Sequence, residues 1–547
     1  MRTGVGRWAL ITTALLTLLS RAVGAATSAN VPPNDPVYRE LSRLDALGLL
    51  PESVLGQRPL SRAEISRLVR TAANNPLAAR QPARELLSRL REQFPSEQGD
   101  RLREPQGVDE VRFGGAWLKD ELSTIPEENG VGRLDALKQP LTRGRQGRTY
   151  RPNGGTFWLM TRHALPLSRT LVAGVSPEIL VRAGGSDDGV PSGADSLGID
   201  QSGFETGFAF RALYGRLQLG PTVIQLGRDG LAWGPFPDDG LIMSTNARPL
   251  DMACLTSESA FRLPWIFRHL GPSRWFVGMA YLGEDRVLPK SALAMLRASF
   301  RLNRLTEIGF SESLVMLGEG APTDSFWQYL WEFFPAGRIG TDTDLADHRF
   351  GIDLKLHAWP GHATLLGEIM VDDARTGHYD DVTARRFGVH FPAVGPDGRW
   401  QVRAEYLRIP AVLYRHGRWT TGYALDHRLL GNELGPDARS ARLQMGKTGS
   451  YGRGSLFELT WEARDNDAWD QEESADDPGH YEDIFRVVDR PTETRWRGRL
   501  ALDYPLTPEM SWQPSITIER VLNSNYVEGV DRTGLLAELS FRYAFAL

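Results

Sequence analysis

The chain changes its hydrophobic period once, near residue 111. Before that point apolar residues recur at helical spacing. Val37, Leu41, Leu44 and Leu47 share one face, and Gly48 and Pro51 end that helix. Ser61-Arg62-Ala63-Glu64 fits a capping box, with Ser61 as N-cap and Glu64 reaching back to it. Ile65, Leu68 and Val69 form the apolar face behind it. Pro82 suits the first turn of a third helix carrying Leu86, Leu87, Leu90 and Phe94. Three short amphipathic helices over residues 35–94 bury little alone, so they are expected to dock on the larger part of the chain. Polar residues 95–108 read as a linker.

From Val111 onward apolar and polar residues alternate, the period of a strand. In residues 349–358, Phe350, Ile352, Leu354 and Leu356 alternate with Arg349, Asp353, Lys355 and His357. In 495–504, Trp496, Leu500, Leu502 and Tyr504 alternate with Arg495, Arg497, Arg499 and Asp503. In 535–547, Leu535, Leu539, Phe541, Tyr543 and Phe545 share a face. Further runs cover 205–219, 275–282, 306–317, 363–371, 400–409, 455–463 and 512–520. The candidate strands number roughly 14 to 18.

A β-sandwich or propeller would turn the apolar face inward. A membrane barrel would turn it to lipid and the polar face to the lumen. Four features favour the barrel. The runs have the length of tilted transmembrane strands, about 9–11 residues. Trp359, Trp400, Trp461, Trp496, Tyr504 and Trp512 recur at run ends, as aromatic girdles require. Full charges such as Lys355, Arg403, Glu405, Arg497 and Glu519 stand mid-strand on the polar faces. The chain also closes on an alternating aromatic strand. The expected fold is all-β, a transmembrane antiparallel β-barrel of about 18 strands over 109–547, with a small N-terminal α-helical bundle.

Composition narrows the class. A formal charge of −5 gives no basic excess, so nucleic acid is not an expected partner. The single cysteine, Cys254, allows no disulfide framework within one chain. Residues 1–26 read as an export signal, with Arg2 and Arg7 before the apolar run 8–19 and small residues at Ala22, Gly24, Ala25 and Ala26. The chain is therefore expected in the outer membrane of a Gram-negative-type cell.

One turn-rich stretch stands apart: residues 227–255, GRDGLAWGPFPDDGLIMSTNARPLDMACL. It dense-packs Gly, Pro, Asp and Trp after an extended run over 214–226, so a long loop of fixed shape is expected. Its two halves, GRDGLAWGP and GLIMSTNARPL, combine with RPLSRAEISRL (58–68) and DHRLLGNELGPDA (426–438) in a definite order. In these motifs, and over most of residues 35–547, the chain resembles the outer-membrane capsule-assembly family known as Wzi. The resemblance implies a monomeric barrel of about 18 strands, partly plugged at its periplasmic end by the helical bundle. It also implies a non-enzymatic surface lectin, which binds or anchors exported capsular or other extracellular polysaccharide and helps assemble the capsule. Outer-membrane lipid and a polysaccharide export channel are the further partners to consider.

Sugars are bound by aromatic faces and planar hydrogen-bonding groups, and acidic sugars by the arginine fork. The candidate glycan-binding residues are Arg228, Asp229, Trp233, Asp238, Asn246 and Arg248, with His427, Arg428 and Asn432 in the second glycine-rich segment. Asp239 belongs with them. Each has a plain alternative role in fixing loops, and Trp233 in filling the lumen. The acidic run 465–483 reads as a solvated loop or a divalent-cation bridge to anionic glycan. The aromatic segment 324–334 (DSFWQYLWEFF) reads as packing or as a sugar-stacking surface. His378, His390, His416 and His427 are scattered and read as structural. No nucleophile elbow, zinc helix, phosphate loop or dinucleotide fingerprint occurs, so no catalytic residue, metal or cofactor is expected. The alternatives to the lectin are a sugar-selective porin and an outer-membrane lipid- or glycan-modifying enzyme.

Overall fold

The computed structural model describes residues 27–94, 108–120, 125, 133–138, 141, 146–185, 203–237, 239–332, 345–372, 382–449, 453–465, 469–473, 481–486, 490–507 and 509–545. The export signal and most of the linker lie outside these residues.

Eighteen antiparallel strands among the described residues close into one barrel. The chain enters the wall through β1 (Glu110–Lys119), β2 (Gly154–Pro166), β3 (Leu171–Gly184), β4 (Phe204–Leu219) and β5 (Thr222–Asp229). It continues through β6 (Leu250–Ser257), β7 (Pro272–Tyr281), β8 (Ala292–Arg301), β9 (Thr306–Met316) and β10 (Ala346–Trp359). Next come β11 (Ala363–Asp372), β12 (Thr383–Val394), β13 (Trp400–Ile409) and β14 (Ala438–Thr448). The wall ends with β15 (Gly454–Arg464), β16 (Glu493–Pro505), β17 (Met510–Leu522) and β18 (Arg532–Ala544). β18 pairs with β1 from Leu535↔Lys119 to Ala544↔Glu110, which removes the open edge. In hydrocarbon, closure satisfies every strand donor and acceptor internally.

The faces are those of a membrane barrel and exclude the sandwich. On β10, Phe350, Ile352 and Leu354 are exposed on the outer face, whereas Arg349, Asp353, Lys355 and His357 are buried inside. On β16, Trp496, Leu500 and Leu502 face out and Arg495 and Arg497 are buried within. The run 214–226 is one expectation that changes. It is a hairpin, β4 and β5, turned by Gly220 (φ +67°) and Pro221. Two turn residues are too few to interrupt a period of two visibly.

The inward charges pair along the wall, within a strand or between nearby strands. Arg297 donates to Asp353 Oδ2 at 2.8 Å and to Ser311 Oγ at 2.6 Å. Arg495 bridges Glu493 and Glu519, each at 2.9 Å, and Arg497 reaches Glu519 at 2.7 Å and Glu462 at 3.3 Å. Paired in this way, charges tolerate an interior that would reject them singly.

The helices are α1 (Val37–Ala46), α2 (Arg62–Ala73) and α3 (Ala83–Gln93), sharing a core of Leu41, Leu44, Ile65, Leu68, Leu86 and Leu90. Gly48 (φ +83°) ends α1, its N–H reaching Asp45 O at 2.8 Å while Leu49 N–H reaches Leu44 O at 3.0 Å. Ser61 Oγ accepts the Glu64 N–H at 3.0 Å, the expected cap. Glu64 does not reach back. Its carboxylate holds Arg67 instead, 2.7 Å to each oxygen. Pro82 stands at the N-cap of α3, one residue before the first turn.

The bundle lies at the short-turn end of the barrel, the periplasmic end in outer-membrane barrels. Arg43 Nε donates to Pro392 O at 2.7 Å, and Arg399 Nη2 to Glu85 Oε1 at 2.7 Å, both beside the β12–β13 turn. Asp45 reaches further in and receives Lys355 Nζ and Arg301 Nη2, each at 3.1 Å. Burial opposes its ionisation, but these cations hold the carboxyl well below the usual carboxylate range.

Arg297→Met is expected to cost about 3–5 kcal/mol by stranding Asp353 in the lumen. The readout is the urea midpoint of the folded, heat-modifiable gel band, and adding Asp353→Leu should restore much of it. Cys254 points inward on β6 and is buried. It should therefore resist maleimide in the folded barrel and label after heat denaturation.

Candidate functional site

The long loops leave the opposite end of the barrel, and two of them fold into its mouth. Loop 230–249 follows β5. Asp229 starts the inward turn: its carboxylate accepts Asn30 Nδ2 at 2.7 Å, Gln225 Nε2 at 2.9 Å and the Gly230 N–H at 2.8 Å. The loop then descends far enough for Trp233 to pair with Gln57 as antiparallel backbone. The Trp233 ring packs edge-on to Phe276 at 5.6 Å and is only 1% exposed. Gly234 (φ +102°) is required here, because a Cβ would also lie 3.0 Å from Glu368 Oε1. At the base, Arg386 Nη1 donates to Asp239 Oδ1 at 2.5 Å, and Leu241 N–H to Glu368 Oε1 at 2.8 Å.

Loop 410–437, between β13 and β14, locks onto the first. Ser244 Oγ donates to Gly431 O at 2.6 Å and Asn246 Nδ2 to Leu429 O at 3.1 Å. Asn432 Nδ2 donates to Asp239 Oδ2 at 3.1 Å, and the Tyr414 hydroxyl to Leu241 O at 2.6 Å. Within this loop Ala424–Leu425 pairs with Arg428–Leu429 around Asp426 and His427, whose φ values of +47° and +57° make a tight primed turn. The turn lifts both side chains to the rim.

There the exposed groups meet. Arg228 forks onto Asp251, Nε to Oδ1 at 2.8 Å and Nη2 to Oδ2 at 2.6 Å. Arg248 joins Asp251 Oδ2 at 3.1 Å and also contacts Asp426. His427 Nδ1 is 2.9 Å from Asp135 Oδ1. That hydrogen bond, against the opposing effect of burial, raises the imidazole above its ordinary value. The segment bearing Asp135 is anchored by buried Lys138, which donates to Glu493 at 3.1 Å and is drawn down to about 7 by burial.

The structure thus divides the sequence candidates. Arg228, Arg248 and His427 gather at the rim, joined by Asp135, Asp251 and Asp426. Asp229, Trp233, Asn246, Arg428 and Asn432 are buried and hold the loops. Asp238 lies outside the described residues. Asp135 and Asp251 carry no periodic or motif signal that marks them in the sequence. His390 and His416 are internal, the first 3.1 Å from Gln401 Oε1 and the second accepting the Arg418 N–H at 2.9 Å. His378 and much of the acidic run 465–483 fall outside the described residues. In the aromatic segment, α4 (Phe326–Glu332) packs Tyr329 against the wall and leaves Trp327 exposed. Among the described residues no group of three or more His, Cys, Asp or Glu is placed to hold a metal ion.

A closed transmembrane wall, a helical plug and interlocked surface loops define an outer-membrane β-barrel with an occupied lumen. The chain belongs to the capsule assembly protein Wzi family, whose profile matches residues 130–535. It is similar in fold to the solved Wzi of Escherichia coli, an outer membrane protein involved in group 1 capsule assembly and described as a carbohydrate-binding β-barrel. That likeness covers 95% of this chain and 100% of the other at 15% identity, with a TM-score of 0.64. An uncharacterized 55.8 kDa protein in the cps region of Klebsiella pneumoniae is 24% identical over 174 residues. The match spans 30% of this chain and 34% of that relative, about a third of its length.

Trp233→Ala is expected to cost about 3–5 kcal/mol through lost packing, seen as a lower thermal midpoint for the folded band. The His427–Asp135 contact carries a pH signature. Its folded pKa lies above the unfolded one, so its contribution is full below about pH 6.5 and fades as pH rises past the raised value. Protease cleavage at hairpin 424–429 should increase across that rise and become pH-independent in His427→Gln.

Proposed function

We propose that this protein is a surface lectin that holds exported capsular polysaccharide at the long-loop rim and performs no chemistry on it. The observation that carries the reading is the rim cluster of Arg228, Arg248 and His427 with Asp251, Asp426 and Asp135. Paired guanidinium and carboxylate groups offer donors and acceptors side by side, the complement of adjacent sugar hydroxyls, and arginine suits sugar carboxylates as well. The interlocked loops beneath keep that surface rigid, which lowers the entropic cost of binding. Membership of the capsule assembly family and the carbohydrate binding described for the Escherichia coli protein support the same reading. A single closed chain fits a monomer, and the polymer would reach the rim from a separate export channel. No cofactor is needed.

A sugar-selective porin is the second reading. It is favoured by a cavity of about 440 Å³ between α1 and the wall, lined in part by Arg39, Tyr150, Trp158 and Arg442. The bundle at one mouth and loops 230–249 and 410–437 at the other favour the lectin, which should show almost no conductance in a planar bilayer. In cells, Arg228→Ala with Arg248→Ala should shed polysaccharide into the medium at unchanged total synthesis. Full retention by that variant, together with steady conductance of the purified protein, would move the assignment to the porin.

A further inference from the structure

On the outer wall, three arginines stand side by side. Arg385 on β12 is in register with Arg408 on β13, and Arg408 with Arg439 on β14. All three occupy outward positions. Phe387 and Tyr406, which share their faces, are exposed to lipid, and the intervening Arg386, Arg403 and Glu405 are buried inward. Directly opposed side chains on neighbouring strands have Cβ atoms about 4.5–5.5 Å apart, and like charges there destabilise the pairing. Elsewhere on the outer face near this rim, Arg228 pairs with Asp251 and Arg520 with Asp531, the latter at 2.9 Å. In the row, Asp465 lies 3.6 Å from Arg439, and Arg408 meets no carboxylate among the described residues.

The row's height matters as much as its charge. Phe387, Tyr406 and Ala441 form the next outward row toward the membrane centre, and Trp461 and Trp496 continue it. Aromatic side chains of this kind mark the edge of the hydrocarbon band. Two residues of strand advance about 6.6 Å, so the guanidinium groups lie just past that edge, at headgroup level. They also sit on the long-loop side, which faces the outer leaflet.

We infer that the outer face of β12–β14 binds the phosphate-bearing headgroup of an outer-leaflet glycolipid through Arg385, Arg408 and Arg439. Guanidinium forks match phosphate oxygens in bidentate contacts. The glycolipid's acyl chains would lie over Phe387 and Tyr406. This site is separate from the polysaccharide rim and does not rest on the lectin reading.

The test uses the full chain extracted in mild detergent. Phosphorylated glycolipid co-purifying with wild type is quantified by mass spectrometry against Arg385→Ser/Arg408→Ser/Arg439→Ser and against Arg520→Ser. The triple variant should carry roughly tenfold less glycolipid or lower, while the single control stays at the wild-type level. Equal glycolipid in triple variant and wild type overturns the inference. Heat-modifiable migration reports folding. Should the triple variant not fold, wild type is titrated in detergent with lipopolysaccharide and with its enzymatically dephosphorylated form. Weaker binding of the dephosphorylated form upholds the site, and equal binding overturns it. Polysaccharide retention by the folded triple variant should be unchanged, which separates this site from the rim.

Discussion

A charge on a strand surrounded by lipid has one tolerable direction, inward, and once there it needs a partner. Most of the architecture follows from that constraint. Wall cations pair with wall acids where the register allows, as Arg297 does with Asp353. Elsewhere a second acid comes from a segment that is not part of the wall. Asp45 of α1 meets Lys355 and Arg301, Asp35 meets Arg112, and Asp239 of loop 230–249 meets Arg386. Bundle and loop are therefore part of the wall's charge balance. Each of those cations also has an acid on the wall, Glu307 for Lys355 and Arg301, Glu110 for Arg112 and Glu405 for Arg386, so bundle and loop complete clusters that the wall begins. The plug and the barrel specify one another.

The outer surface obeys a different rule. Through the hydrocarbon band it is apolar, and at its edge it becomes aromatic and then charged. Rim charges are exposed or half-exposed, so their pairing is weaker and open to competition by ligands. The inner charges fix shape, and the rim charges are left to meet other molecules.

Much of this was legible in the sequence. The face opposite the apolar one carries Arg349, Asp353 and Lys355, which a sandwich could not turn to a dry interior and a barrel can. The run 400–409 coincides with β13, because nothing in it breaks the alternation. Hairpin turns of two residues were not legible. At the site, residue type and motif pointed to Arg228, Arg248 and His427. Their partners were hidden, since Asp135 meets His427 across 292 positions. Asp229, Trp233 and Asn432 carry the same chemistry as ligand-binding residues, and only tertiary burial shows that they hold loops.

The pairing of Gln57 with Trp233 joins a segment entering from one mouth to a loop entering from the other. It is a seam inside a tube. Gly56 N–H reaches Glu307 at 2.8 Å just beside it, so the seam also touches the wall. One short segment thus fastens bundle, loop 230–249 and wall together, so that a shift of any of the three must open contacts belonging to the other two.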